Sequence, residues 1–174
     1  MVLAVTAGPD DVKEEIRQTV IRFKSLISHF ESEVEHTSPV PRPATCMDDA
    51  FVDTTYDWLV DLDDFIRHPY EITTLFEILK DFSAMLDNVH NHCGLKEVAT
   101  YVGNKCHQTG SCTITDMTSN AAIHFIKIGS LLEDATVEFR KNTEASWGQA
   151  GADYGEIVSL VFGFSKNVVK SLLQ

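Results

Sequence analysis

Apolar residues recur at spacings of three and four along nearly the whole of this chain, and no stretch of useful length alternates apolar with polar as a half-buried strand would. The first stripe, Val12, Ile16, Val20, Phe23, Ile27, Phe30 and Val34, predicts an amphipathic helix that starts at Gly8-Pro9. Proline suits a first helical turn, and Asp10, Asp11, Glu14 and Glu15 oppose the positive end of the helix dipole. The helix should stop before Ser38, because Pro39, Pro41 and Pro43 force an extended connector.

A second helix is expected from about Met47 to His68, with Val52, Tyr56, Leu59, Leu62, Phe65 and Ile66 inward and an acidic row, Asp49, Asp53, Asp57 and Asp61, outward. Pro69 ends it. A third, Tyr70 to about His92, carries Ile72, Leu75, Phe76, Leu79, Phe82, Leu86 and Val89, with Gly94 as a left-handed cap. A short helix, Leu95 to Lys105, follows, and Cys106 to Cys112 reads as a loop closed by its own cysteines. The fifth helix spans about Thr115 to Lys141, capped at Thr115 or Thr118, with Ala122, Phe125, Ile126, Gly129, Leu132, Ala135 and Phe139 inward.

The last predicted helix, Ser146 to Gln174, carries the most distinctive pattern. Gly151, Gly155, Ser159 and Gly163 recur every fourth residue and make a smooth groove, while Tyr154, Ile157, Val158, Val161, Phe164 and Val168 supply an apolar face. Glycine inside a helix costs about 0.5–1 kcal/mol relative to alanine, so the ladder implies a compensating close approach by another backbone. Two candidates for that backbone are the fifth helix, through Ala122, Gly129 and Ala135, and another molecule.

Together these elements predict an all-α fold, an up-and-down helical bundle of about five long helices plus one short helix. Residues 1–8 form an amino-terminal arm and 9–174 a single domain of ordinary globular composition, 44% hydrophobic and 23% charged. Met1 to Ala7 is apolar and ends in a small-x-small pattern, as the tail of a signal peptide cleaved after Ala7 would, but it is short and lacks a basic start. A frayed arm is the reading taken.

Cysteine usage adds a compartment. Cys46, Cys93, Cys106 and Cys112 form an even set without a CxxC pair, which fits two disulfides, a secreted or lumenal setting and an oxidising environment. If consecutive helices run antiparallel, Cys46 and Cys93 meet at one end of the bundle, so the simplest pairing is Cys46 with Cys93 and Cys106 with Cys112, one of three connectivities open to four cysteines.

Charge then removes whole classes of partner. A formal net charge of −12 argues against nucleic acid and anionic membrane surfaces. No apolar run reaches the roughly 20 residues of a membrane span, so no membrane insertion is expected. The acidic row has no basic partner at i+4, which suggests a solvated face or weak binding of a cation or basic protein.

Candidate chemistry is sparse. Glu33-x-x-His36 and Asp87-x-x-His90 approach the Glu-x-x-His pattern of carboxylate-bridged metal bundles, at helix ends that the topology places together. A zinc set of His90, His92, Cys93, Cys106 and His107 competes with the disulfides for the same sulfurs. Trp58, Trp147 and Tyr101 could instead line a cavity for a small apolar ligand. No nucleophile elbow, phosphate loop or haem-attachment motif is present, and no catalytic residue or cofactor is expected.

The segment Phe139 to Val158, with Trp147-Gly148-Gln149-Ala150-Gly151-Ala152-Asp153-Tyr154-Gly155-Glu156-Ile157-Val158, resembles the carboxy-terminal pattern of small, cysteine-containing, secreted helical proteins of ciliates and related protists. The likeness covers about twenty residues. That family has no assigned chemistry, so the resemblance implies an oxidising compartment and transfers no functional residue. The expected function is a non-catalytic structural or interaction protein that engages a protein partner or itself within a larger assembly. A carrier of a small apolar ligand is the alternative, and a metal-dependent enzyme the third.

Overall fold

The computed structural model describes residues 8–68, 72–110 and 112–164, and these form seven helices without a strand. They are α1 (Pro9–Glu35), α2 (Asp49–Arg67), α3 (Ile72–His92), α4 (Leu95–Thr109), α5 (Ile114–Ile123), α6 (Phe125–Lys141) and α7 (Glu144–Phe162). The predicted all-α, disulfide-stapled bundle is what the chain forms, with one more helix than its periodicity suggests.

Local chemistry sets the boundaries. Pro9 opens α1 and the Asp11 carboxylate accepts the Gly8 N–H at 3.3 Å. The Asp48 side chain accepts from the Phe51 N–H at 3.1 Å to start α2, and Thr143 and Ser146 cap α7 reciprocally. For α5 the cap is Thr113, bonded both ways with Asp116, rather than Thr115 or Thr118. The single fifth helix expected from sequence is broken at His124, so that α5 bends onto the end of α7, where the Asn120 amide donates to the Val161 carbonyl at 3.2 Å. Cys106 to Thr109 complete the last turn of α4 instead of lying in a loop, and Gly110 closes that helix with φ +63°.

The last helix is shorter than predicted. Gly163 takes φ +73°, its N–H bonds the Leu160 carbonyl, and the Phe164 N–H bonds the Ser159 carbonyl at 2.8 Å. This pair of bonds is a Schellman stop, and only glycine adopts its left-handed residue without steric cost. The part of the predicted helix beyond Phe164 lies outside the described residues, as does the amino-terminal arm up to Ala7.

Helix α1 is central. The α2–α3 hairpin lies on one side of it and the α6–α7 hairpin on the other, while α4 touches α1 and α3. One core cluster joins Ile16, Val20 and Ile27 of α1 to Met47, Val52 and the Cys46–Cys93 disulfide, whose sulfurs are wholly buried. The second pairing, Cys106–Cys112, closes the end of α4, so both bonds match the predicted connectivity. An aromatic set, Phe23, Phe139, Trp147 and Tyr154, fills the junction of α1, α6 and α7.

Candidate interaction surface

The groove on α7 is filled by this chain's own first helix. A Cβ on Gly151 would collide with the Leu26 carbonyl oxygen, and one on Gly155 would lie 2.7 Å from the Phe30 carbonyl oxygen. Gly148, one turn earlier, faces the His29 ring and Ser25 Oγ at 2.9 Å. Residue numbers rise together on the two helices, so α1 and α7 run parallel, and the His36 Nε2–H donates to the Phe164 carbonyl at 2.9 Å where both end. At Gly151 and Gly155 the occupant is α1 and neither candidate drawn from sequence; the predicted fifth helix meets the ladder at Gly163, where Asn120 Nδ2 would lie 3.0 Å from an added Cβ. Ser159 is buried in α7, whereas Gly163 serves as the helix stop and forms no part of the groove.

The acidic row also divides. Arg17 reaches Asp49 at 3.5 Å and Lys13 reaches Asp53 at 2.6 Å, so these two carboxylates meet cations of α1 and not of their own helix at i+4. The Lys13 hydrogen bond holds the Asp53 carboxyl below its ordinary pKa. Asp61 is pushed the other way, first by burial and then by Glu77, Asp81, Asp57 and Asp64. Carboxylates of α2 and α3 thus meet across the hairpin seam, and no ion pair of Asp57, Asp61, Glu77 or Asp81 occurs among the described residues.

The four groups of the carboxylate-bridged alternative are not brought together. Glu33 packs against Gly155 and His36 is bonded to Phe164, both on the α1–α7 side, while Asp87 bonds Asn91 on the exposed surface of α3 and His90 is exposed there. The topology that predicted convergence overlooked that α1 ends against α7. Among the described residues no three His, Cys, Asp or Glu side chains are grouped to hold a metal, and the cysteines of the zinc alternative are oxidised.

Two polar features escaped the sequence reading. The side chain of Arg42 in the proline-rich connector is only 7% exposed; its guanidinium pairs with Glu31, donates to the Cys93 carbonyl at 3.2 Å and to the Val40 carbonyl, and so fastens the connector to the disulfide. Beside it lies a cavity of about 290 Å³ lined by Glu31, Arg42, Asn91, His92 and Glu97, too polar for an apolar guest. A second depression, along one face of α4, is lined by Lys96, Glu97, Thr100, Tyr101 and Asn104. Trp58 lies tilted beside Phe82 and Trp147 meets Phe139 edge-on, so the tryptophans serve packing. Asp153 of α7 is only 6% exposed; Gln149 donates to its Oδ1 at 3.0 Å, and Oδ2 has no partner among the described residues. Burial, opposed by the Gln149 bond and reinforced by Asp134, Glu138 and Glu156, raises its pKa.

What the fold leaves uncovered is apolar. On α3, Ile72, Phe76, Leu79, Phe82 and Leu86 are exposed, Phe76 to 67%. Phe125 and Ile126 of α6, expected inward, are 74% and 87% exposed, and Ile66 of α2 also faces out. Scattered apolar side chains are ordinary on a protein surface, but stripes along whole helices are not. No protein-family model, curated protein or solved structure matches this chain. No described helix is long and apolar enough to cross a membrane.

Proposed function

We propose that this chain is a non-catalytic structural or interaction protein, a helical subunit that assembles with protein through the apolar outer faces of α3 and α5–α6. The observation that carries this reading is the helix-long apolar exposure on α3, continued on the other side of α1 by Phe125 and Ile126. The α7 groove has no part in it, because α1 already lies there. Two disulfides fit an oxidising compartment, and a secreted or lumenal setting is the specific form of that reading.

Native mass spectrometry of the oxidised protein recovered from its own source tests the proposal. A complex larger than the 19.4 kDa chain is expected. Recovery as a lone chain, unchanged across micromolar concentrations, would contradict it.

A further inference from the structure

We infer that α3 is a dimerisation helix whose outer seam packs antiparallel on the same seam of a second copy of this chain. This rests on the association reading above and names the partner. The seam residues Ile72, Leu75, Leu79, Phe82 and Leu86 follow one another by three, four, three and four; Val89, the next by three, packs instead against the buried core, so the open seam ends at Leu86. That is a heptad with apolar residues at its a and d positions, the spacing that keeps a seam turned toward another helix. Within the chain α2 covers chiefly the adjoining stripe, where Thr74 and Ile78 are buried and Met85 meets Thr55, and it reaches the seam at Phe82, which Trp58 approaches while the residue stays 47% exposed. The more apolar side of α3 is therefore the open one.

Area supports a protein-sized occupant. The exposed surface of Ile72, Leu75, Phe76, Leu79, Phe82 and Leu86 amounts to on the order of 700 Å², close to the roughly 800 Å² each partner contributes to a stable interface. Charge selects which protein. The positions flanking the seam are Phe76, Ser83 and His90 on one side and Ile78, Met85 and His92 on the other, with no carboxylate among them. Of this hairpin's carboxylates, Asp61 faces Glu77 and Asp81 across the helices, and Asp87 accepts from the Asn91 amide. A chain of net charge −12 can thus meet itself here without opposing like charges, whereas a basic helix would find no acidic border to recognise.

Symmetry supplies the register. On a two-fold axis, antiparallel seams set every a position against a d position: Leu79 meets Phe82 of the second copy and Leu75 meets Leu86. Such an interface is isologous and closes at two.

Sedimentation equilibrium of the oxidised chain and its charge variants tests this. The unaltered chain should dimerise at micromolar concentration, and L79E or F82K alone should raise the dimer dissociation constant about a hundredfold or more, because each buries an unpaired charge. An equal mixture of L79E and F82K should recover association, since the acidic side chain of one then faces the basic side chain of the other. Ile126→Glu on α6 should leave the dimer intact.

A chain that stays monomeric, or dimers indifferent to L79E, would overturn the inference. So would recovery in a mixture of L79E with L79K but not with F82K, the signature of parallel seams. Leu79 is 54% exposed, so its substitution spares the core. L75E with L86K repeats the test one layer out should circular dichroism show either central variant losing helix. A chain monomeric alone yet recovered in a native complex would end the dimer and leave the association reading standing; a lone chain in both would end both.

Discussion

Gly151 and Gly129 both sit inside helices, yet they occupy opposite kinds of space. Gly151 lies against the Leu26 backbone, while nothing lies within 4 Å of the Cβ that Gly129 lacks. Gly151→Ala should therefore cost roughly 2–4 kcal/mol, since two main chains would have to part. Gly129→Ala should gain about 0.5–1 kcal/mol through helix propensity alone. Urea unfolding of the two variants reads both signs.

Asp153 makes a second prediction at this scale. A carboxyl whose folded pKa is raised costs nothing while both states are protonated; the cost begins as pH passes the unfolded value and is complete above the folded one. Asp153 and Asp61 are both raised by burial, so both act in this sense. Asp153→Asn should stabilise the protein by about 1 kcal/mol at neutral pH, with the gain fading toward about pH 4, near the unfolded carboxyl pKa. Equal stabilisation at both ends of that range would refute an electrostatic cause.

At the scale of elements, the two disulfides should differ in worth. Cys46–Cys93 closes a separation of 47 residues inside the core, whereas Cys106–Cys112 closes 6 at a helix end. Loop-closure entropy gives about 4 kcal/mol for the first and about 2 kcal/mol for the second. Replacing each pair with alanine should reproduce that order in thermal unfolding.

Much of this layer was legible in the chain. The stripe from Val12 to Val34 gave α1, and antiparallel succession set Cys46 beside Cys93, which left Cys106 and Cys112 for each other as the simplest of three connectivities. Other features are backbone properties that side-chain patterns do not encode. The stop at Gly163 depends on a positive φ, and the bend at His124 depends on Asn120 reaching the end of α7. A ladder of small residues reports how near a neighbour comes and not which neighbour, so α1 as its occupant could not be read from it. Arg17 and Lys13 escaped as partners of Asp49 and Asp53 for the same reason, since they are remote in sequence.

For the whole molecule, the decisive distinction is between apolar stripes that the chain covers and those it leaves open. Periodicity gives α1 and α3 equal standing as amphipathic helices, yet Ile16, Val20 and Ile27 are buried while Ile72, Leu79 and Leu86 are not. An apolar stripe says only that something lies over it, and among the described residues Ile72, Leu79 and Leu86 of α3 stay exposed.

Sedimentation velocity of the oxidised chain over a micromolar concentration series is the most direct measurement of that claim. The account predicts a mass that rises with concentration from 19.4 kDa toward twice that value. A species that stays at 19.4 kDa at every concentration would contradict it.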